Sequence, residues 1–592
     1  MIHGERLTAL RGLMKQHQID AYVIPSSDPH MSEYLPERYR CVAWASGFTG
    51  SAGTLVITQD FAGLWTDSRY FVQAAEQLKD SGYQLVKLKV QHAPEYVDWL
   101  VEVLPANSVV AFDGQLTSAW LAKTLIAKLE ALSINVRGDV DLLSLLWNNR
   151  PELPKAPAYV LDDSLTGESV IAKLDRLRIW IRQKRSDAHF ISALDDLAWL
   201  FNIRGSDVPC NPVILGFGLI TLNEAILYID QGKFPSEDRS RLSAAGVTLA
   251  DYTEAEVALS QLADGFTLLM DPKRTCFSLY STVPATVSVV EQLNPTTHFK
   301  AVKNAVEIQH TRATMVKDGV AMTRFFKWLE ETVGKEPITE ISLAEQLLKF
   351  RAEQADFVGE SFDTIAAYGF HGALPHYKAT PESNSLLQPE GLLLVDSGGQ
   401  YRTGTTDITR VVSLGNITDE QRVDYTLVLK GMIEGSTLIF PRGSRGYQVD
   451  AITRKPLWDH LRNYGHGTGH GVGFFLNVHE GPHVFNTAAV DVPIETGMIT
   501  SIEPGLYREG AYGIRIENLV LTVDHQNAFF GSFLAFETLT LCYIDTSLVN
   551  KALLDSKHIN WLNQYHAMVY EQLKPYLTEN EQEWLAKKTA AI

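Results

Sequence analysis

Two aspartates in the C-terminal half stand where short strands would deliver a carboxylate. Asp396 directly follows the apolar run GLLLV and precedes a Ser-Gly-Gly turn, and Asp407 opens the run DITRVVSL eleven residues later. Two such strands can pair as a hairpin, which would bring both carboxylates together. The Asp-x10-Asp spacing alone is also compatible with two unrelated aspartates at strand ends.

Two glutamates further along the chain occupy comparable positions. Glu503 directly follows the apolar run MITSI and precedes a Pro-Gly pair. Glu517 lies in YGIRIENLVLTV, in which apolar and polar residues alternate. In a strand of that pattern Arg515 and Glu517 point to one face, and Ile514 and Ile516 point to the other. The sequence therefore predicts an inward polar face, with a structural Arg–Glu pair as the alternative.

Four histidines lie in segments rich in glycine or proline. His466 and His470 belong to GHGTGHGVG, His479 follows in NVHEGPH, and His376 comes earlier in ALPHY. Glycine lets the backbone approach a ligand closely, and histidine is a common ligand of transition metals. A flexible loop without an ion and solvated or structural histidines remain the alternatives.

We interpret the acidic residues and one histidine as the ligands of a metal site. Burying four carboxylates together without cations would cost several kcal/mol per charge, whereas two divalent cations would neutralise them. Oxygen ligands with one nitrogen suit Mn²⁺, Co²⁺ or Zn²⁺, and paired ions are typical of hydrolases because they activate a bridging water. The predicted ligands are Asp396, Asp407, Glu503 and Glu517 together with one of these histidines.

The composition limits the other classes of function. The 592 residues are enough for three or four domains, and 45% hydrophobic and 21% charged residues are typical of a folded soluble protein. A formal net charge of −18 argues against a nucleic-acid partner. The four cysteines are widely spaced, and neither a signal peptide nor a membrane span of about 18 apolar residues is evident. We therefore expect a cytoplasmic protein with no membrane contact.

The chain divides into repeated and unrepeated parts. Residues 1–150 alternate helix and strand and end at a proline-rich linker, PELPKAP. Residues 159–300 repeat the pattern: RLRIWIRQKRSDAHFIS matches ALRGLMKQHQIDAYVIPS, and AILYID matches AGLWTD. We interpret this as a duplicated α/β domain, with chance similarity as the alternative.

The third part, residues 303–592, begins with a long amphipathic sequence that predicts a surface helix. It continues with strands and glycines to about residue 545. The amphipathic tail beyond that point predicts helices that dock on the body or on a partner subunit. The predicted fold class is thus α/β for the first two domains and α+β for the third.

Several motifs together resemble one family. VDSGGQYRTGTTDITR, GHGTGHGVGFFLNVHEGP, SIEPGLY and GIRIENL are similar to the aminopeptidase P branch of the pita-bread metallopeptidases, including the ligand order Asp, Asp, His, Glu, Glu. SGFTGSAG and LWTDSRYFVQA resemble the first domain of its three-domain form, and SALDDLAWLFNIRGSDVPCNPV resembles the second. The resemblance implies two creatinase-N-like α/β domains followed by a pita-bread catalytic domain.

The resemblance also implies an activity. An N-terminal residue followed by proline would be removed by a hydroxide that bridges two metal ions, usually manganese, in a homodimer. Asp396 and Asp407 would hold one ion, and Asp407, His470, Glu503 and Glu517 would reach the other ion or bridge. Of the implied catalytic residues, Glu503 would accept a proton from the bridging water. The peptide carbonyl would be held by His376, His466 and His479, which would also pack around proline. Arg515 would orient the Glu517 side of the site.

An X–Pro bond sets its own chemical demands. It lacks an N–H, so a specific site needs shape and donors aimed at the carbonyl oxygen. Prolidase and methionine aminopeptidase share the ligand pattern, but the first needs a clamp for a dipeptide carboxylate and the second generally lacks two preceding domains of this size. A non-enzymatic pita-bread binding protein is the remaining alternative, and an intact set of five ligands argues against it.

Overall fold

Two α/β sheets with the same strand order make up the N-terminal half of the protein. A computed structural model describes residues 2–91 and 93–592. The chain folds as two compact units, one ending at Thr297 and one spanning His298–Ile592. In the first α/β layer the helices are α1 (His3–Gln16), α2 (Cys41–Ser46), α3 (Phe71–Gln77), α4 (Glu95–Val103) and α5 (Ala119–Glu130). Its strands are β1 (Ala21–Pro25), β2 (Thr54–Thr58), β3 (Ala62–Thr66), β4 (Gln84–Lys87), β5 (Val109–Phe112) and β6 (Asn135–Arg137).

The second layer follows the same plan. Its helices are α6 (Asp163–Thr166), α7 (Val170–Gln183), α8 (Leu194–Leu200), α9 (Ser236–Ala244), α10 (Glu254–Ser260) and α11 (Phe277–Thr282). Its strands are β7 (Tyr159–Val160), β8 (Ala188–Ile191), β9 (Ile203–Arg204), β10 (Gly216–Thr221), β11 (Ala225–Ile229), β12 (Val247–Ala250), β13 (Thr267–Met270) and β14 (Ser288–Glu291).

The two sheets match strand for strand. The first has the order β4-β3-β2-β1-β5-β6 and the second β12-β11-β10-β8-β13-β14, with the same parallel and antiparallel pairings. The helices that precede β1 and β8 also bury residues at the same spacing, since α1 buries Leu7, Leu10 and Met14 and α7 buries Leu174, Leu177 and Ile181. This agreement supports the duplicated-domain prediction. The division at residues 150, 159, 300 and 303 stays a prediction.

The C-terminal unit surrounds antiparallel sheets with helices. After α12 (Pro295–Ala301), the helices are α13 (Ala305–Thr332), α14 (Glu340–Ala352), α15 (Asp419–Ser436), α16 (Gly446–Trp458), α17 (Ser556–Leu573) and α18 (Glu579–Lys588). Short 3-10 helices of this unit span Gly369–Ala373, Thr546–Leu548, Lys551–Leu553 and Lys574–Tyr576. Two further 3-10 helices, Glu37–Tyr39 and Gln231–Lys233, belong to the N-terminal unit.

The strands of this unit form three sheets and a separate hairpin. Their orders are β15-β18-β19, β16-β17-β20 and β21-β28-β27-β24-β22-β23, and β25 pairs with β26. The strands are β15 (Phe357–Glu360), β16 (Ile365–Tyr368), β17 (Leu392–Ser397), β18 (Gly399–Tyr401), β19 (Gly404–Thr405), β20 (Ile408–Ser413), β21 (Phe440–Pro441), β22 (Gly469–Gly471), β23 (Glu480–Phe485), β24 (Ile499–Ile502), β25 (Gly505–Arg508), β26 (Tyr512–Arg515), β27 (Asn518–Ala528) and β28 (Gly531–Thr538).

The long helix α13 corrects one expectation. Asn304 caps it in a capping box with Glu307, as the predicted helix start requires. It is a surface helix only in part, because the stretch Asp318–Thr323 is buried continuously. The reason is that α14, β19, α17 and α18 all contact it. An amphipathic pattern does not reveal that the polar side of a helix is also covered.

The C-terminal tail docks on the body of its own unit. The Trp584 indole donates to Glu330 at 3.0 Å, and Arg324 pairs with Glu581. Leu562, Val569 and Leu585 join the hydrophobic core of the unit. Across residues 2–91 and 93–592, none of the helices has both the length and the apolar character needed to cross a bilayer.

Candidate metal centre

A β-hairpin brings the two aspartates together, as the sequence predicts. Strand β17 pairs antiparallel with β20, so that Asp396 lies opposite Thr409. Asp407 immediately precedes β20, and both aspartates are buried. The residues Leu392–Val395 are buried too, which fits an apolar strand that delivers a carboxylate at its end.

The two glutamates flank a second strand pair. Strand β24 pairs antiparallel with β27, with Ile502 opposite Asn518. Glu503 follows the first of these residues and Glu517 precedes the second, so the two glutamates are neighbours across the sheet. The hydroxyl of Thr409 donates to Glu517 Oε2 at 2.8 Å, which joins the sheet to the hairpin.

His470 enters the same cluster from β22. Its Nε2 lies 3.4 Å from Asp407 Oδ2 and 3.3 Å from Glu503 Oε1. Its Nδ1 lies 3.0 Å from the Gly471 carbonyl oxygen, which favours the tautomer with hydrogen on Nδ1. The preceding Gly469 is required for this approach, because a Cβ there would lie 1.8 Å from the carbonyl oxygen of Ser501.

The electrostatics show a cluster that needs positive charge. Burial raises the pKa of Asp396 and, further, that of Glu517, and burial raises the pKa of Glu503 to about 7. Burial lowers the pKa of His470, but the hydrogen bond to Asp407 and the nearby carboxylate charges outweigh it and bring the pKa to about 9. Burial therefore disfavours the charged forms of Asp396, Glu503 and Glu517, whereas the nearby carboxylates favour the charged form of His470.

The donor set fits divalent cations. Ligand atoms of Asp407, His470 and Glu517 lie within 4.8 Å of one another. Asp396 Oδ1 and Glu517 Oε1 are buried and, among the residues that the structure describes, have no hydrogen-bond partner. Buried oxygens without a donor are costly unless a cation completes them. The site thus offers carboxylate oxygens and one imidazole nitrogen, which suits hard or borderline ions.

The predicted substrate-site residues lie around this cluster. The ring of His479 packs edge-on against that of His470, with centroids 4.3 Å apart. His466 Nε2 lies 2.7 Å from the hydroxyl of Tyr507, which in turn accepts from Arg515 at 2.7 Å. His376 follows Pro375, whose carbonyl oxygen accepts from Arg515 Nη2 at 3.2 Å.

Arg515 has a more direct partner than the sequence predicts. Its Nη2 pairs with Asp396 Oδ2 at 2.5 Å, and its Nε donates to Thr409 at 3.2 Å. It reaches Glu517 only through Thr409, which donates to that glutamate. The role of Arg515 in orienting the Glu517 side of the site therefore stays a prediction.

Two supporting residues were missed from the sequence. Tyr507 lies in the quoted motif SIEPGLY, and its alternation with Gly505 in β25 is the signal that places it beside Arg515 of β26. Arg454 of α16 donates to the carbonyl oxygens of Tyr464 and His466 and pairs with Asp450, which accepts from Thr468. No local pattern marks α16 as the support of the Gly-His segment.

Family models match nearly the whole chain. The description "Metallopeptidase family M24" matches residues 309–524, and "C-terminal region of peptidase_M24" matches residues 532–592. "Creatinase/Prolidase N-terminal domain" matches twice, at residues 6–143 and 149–307. Together with the acid-rich centre, these matches define a metallopeptidase with two creatinase-type domains ahead of its catalytic unit.

Full-length relatives identify the kind of metallopeptidase more closely. The chain is 38% identical over 616 residues to a probable Xaa-Pro aminopeptidase P of Neurospora crassa, covering 99% of this chain and 89% of the relative. It is 39% identical over 604 residues to one of Botryotinia fuckeliana, covering 99% and 92%. The structure of an X-prolyl aminopeptidase from Caenorhabditis elegans, described as a cytosolic enzyme with a di-nuclear active site, superposes with a TM-score of 0.96 at 36% identity over 100% of both chains. The chain belongs to the Xaa-Pro aminopeptidase P family of M24 metallopeptidases.

Proposed function

We propose that this protein hydrolyses the peptide bond between an N-terminal residue and a following proline. The observation that carries the proposal is the convergence of four acidic side chains and His470 in one buried cluster. Within the described part of the chain, Asp396 Oδ1 and Glu517 Oε1 have no hydrogen-bond donor. The relatives carry the matching name, Xaa-Pro aminopeptidase P.

The ligand residues divide into two overlapping groups. Asp396 and Asp407 would hold one divalent ion, and Asp407, His470, Glu503 and Glu517 would hold or bridge to the second. The chemistry that such a pair supplies is a lower pKa for water and polarisation of the scissile carbonyl. The proposed ion is manganese, with cobalt or zinc as the alternatives within the same donor chemistry.

The side chains of this protein perform the proton transfers. Glu503 accepts the proton of the attacking water and passes it to the proline nitrogen as that bond breaks. A positioned carboxylate that takes a proton and then returns it acts as a general acid–base group. Ser501, which donates to Glu503 Oε1 at 3.1 Å, holds the carboxylate in place.

The histidines supply what an X–Pro bond demands. His376, His466 and His479 would donate to the carbonyl oxygen and form walls against the proline ring, since the tertiary amide offers no N–H to grip. Arg515 would hold Asp396 in position through its ion pair. We also propose a cytoplasmic homodimer, as the family resemblance implies and as the description of the Caenorhabditis elegans enzyme as cytosolic supports.

A chelation and readdition assay tests the function. The chelated protein should lose hydrolysis of an Xaa-Pro-Xaa tripeptide, and manganese should restore more activity than cobalt or zinc. An Xaa-Ala-Xaa tripeptide is the matched control and should be cleaved poorly. Preferential cleavage of Xaa-Pro dipeptides would favour a prolidase instead, and protein without chelator-sensitive hydrolysis or bound ions would overturn the proposal in favour of a binding role.

A further inference from the structure

Glu340 is a fully buried carboxylate that lies outside the metal centre. It occupies the first turn of α14, directly after the N-cap Thr339, and has no exposed surface. A glutamate in the first turn of a helix is usually a solvated residue that interacts with the helix dipole. Burial of its charge is costly unless each oxygen is saturated with donors, so its surroundings call for a specific explanation.

Four donors saturate this carboxylate, and all of them come from one segment. Oε1 accepts from the Tyr368 N–H at 2.8 Å and lies 2.8 Å from His371 Nδ1. Oε2 accepts from the Tyr377 hydroxyl at 2.8 Å and from the Ser385 N–H at 2.9 Å. Residues 368–385, which we call the His376 loop, are thus tied to one side chain at both ends and in the middle.

His376 lies between two anchors of this loop. On its N-terminal side, the Pro375 carbonyl oxygen accepts from Arg515 Nη2. On its C-terminal side, Tyr377 is buried, donates to Glu340 and stacks on the ring of His371 with centroids 4.3 Å apart. One anchor therefore belongs to the metal centre and the other is Glu340.

The 3-10 turn of the loop packs closely against the backbone of β26. A Cβ at Gly372 would lie 2.9 Å from the backbone nitrogen of Gly513, in the strand β26 that carries Arg515. We expect that loss of a hydrogen bond to Glu340 shifts the residues that follow this close contact. Displacements of this kind near a reacting group are costly for catalysis.

We propose that Glu340 is a positioning residue for His376, acting through Tyr377. The inference rests on the proposed function, in which His376 contacts the substrate carbonyl. A carboxylate is required at this position because all four neighbouring groups donate, whereas a glutamine would direct its own N–H₂ toward a backbone N–H. The proposed role of Glu340 is to hold one substrate-site histidine in place.

A double-mutant cycle tests the inference in the full-length, manganese-loaded protein. Tyr377→Phe removes one anchor and should lower kcat/KM about tenfold, the loss expected for a hydrogen bond to a charged group. The same change is then made in a His376→Ala background and the rate is measured in single turnovers at high protein concentration. There it should lower the rate less than about twofold. Lys378→Ala is the matched control, because Lys378 is exposed on the same loop and pairs with Asp363, and its effect should be under about twofold.

Hydrogen exchange provides a readout that does not depend on activity. In Tyr377→Phe and Glu340→Gln, amides of the His376 loop should exchange faster than in the wild type, whereas those of β17 should not change. Equal losses from Tyr377→Phe with and without His376, or unchanged exchange in the loop, would overturn the inference. A wild-type protein that does not cleave Xaa-Pro peptides would refute the proposed function instead, and the exchange data would still decide whether Glu340 holds the loop. If Glu340→Gln does not fold, Tyr377→Phe alone decides.

Discussion

Arg515 and Asp396 form a buried ion pair with a separation of 2.5 Å between Nη2 and Oδ2. The pair occupies one oxygen of the aspartate and leaves Oδ1 without a donor among the described residues. The guanidinium also contacts Tyr507, Thr409 and the carbonyl oxygen of Pro375. One side chain therefore links a proposed metal ligand, a strand of the sheet and the His376 loop.

Arg515→Lys should reduce turnover although it keeps the positive charge. A lysine presents a single ammonium group and cannot reproduce the fork that contacts Asp396 and Tyr507 at once. We expect kcat to fall by at least about tenfold, consistent with the loss of hydrogen bonds to a charged group. Steady-state kinetics on an Xaa-Pro-Xaa tripeptide, with bound metal measured in parallel, provide the check. Turnover close to that of the wild type would contradict the positioning role of Arg515.

Glu503→Gln should nearly abolish hydrolysis while the fold stays intact. The amide keeps the size of the side chain but cannot accept the proton of the attacking water. General acid–base groups contribute about 10²- to 10⁴-fold, so a loss of that order in kcat is expected. The measurement is kcat together with the thermal melting temperature of the manganese-loaded protein. Near-normal turnover would refute proton handling by Glu503.

Chelated protein should lose stability as the pH rises from about 5 to 7. The pKa of Glu503 is raised to about 7 and that of Glu517 is raised further, so the folded state holds more protons than the unfolded state in this window. Stability contributed by a carboxyl group with a raised pKa is present at low pH and falls as the pH rises. The melting temperature gained by adding manganese should therefore increase across the same range.

A neutral isostere provides the matched control for that titration. Chelated Glu517→Gln should melt at a higher temperature than the chelated wild type at pH 7, because it removes a buried acid that resists ionisation. Addition of manganese should also raise the melting temperature of this variant less than that of the wild type, since the amide is a poorer ligand. A pH-independent gain from manganese in the wild type would contradict the assignment of these groups to the ion site.

The parts of the site that follow local patterns were predictable from the sequence. Asp396 and Glu503 end apolar strands, and Asp407 follows the first of these at a hairpin distance, so strand pairing alone brings both aspartates together. The duplicated helix–strand order in the N-terminal half was likewise visible as an amphipathic helix followed by a short apolar strand, which occurs twice in the sequence.

The supporting residues were not predictable because their roles depend on distant contacts. Thr409 acts on Glu517, which lies 108 residues away, and only the register of two separate sheets joins them. Glu340 looks in sequence like an ordinary first-turn glutamate, and its burial depends on a loop that follows 28 to 45 residues later. The covered polar side of α13 escaped prediction for the same reason.

His566 should contribute to loss of stability in acid. Its Nε2 accepts from the Ile544 N–H at 3.1 Å, and burial, reinforced by the charge of Arg410, lowers its pKa to about 4. A histidine with a lowered pKa contributes fully above its ordinary value of about 6.5 and loses that contribution as the pH falls toward 4, because the unfolded state binds the proton first. The contribution is on the order of 3 kcal/mol.

The decisive measurement is the difference in melting temperature between pH 7 and pH 4.5. His566→Asn should melt at a lower temperature than the wild type at pH 7, since the ring is buried in the core of the C-terminal unit. The fall in melting temperature between pH 7 and pH 4.5 should be smaller in this variant than in the wild type. His460→Asn, at an exposed histidine, should leave the wild-type difference unchanged. An identical pH difference in wild type and His566→Asn would show that this ring is not a source of acid sensitivity, and that the docked tail, through α17, does not respond to protonation at this position.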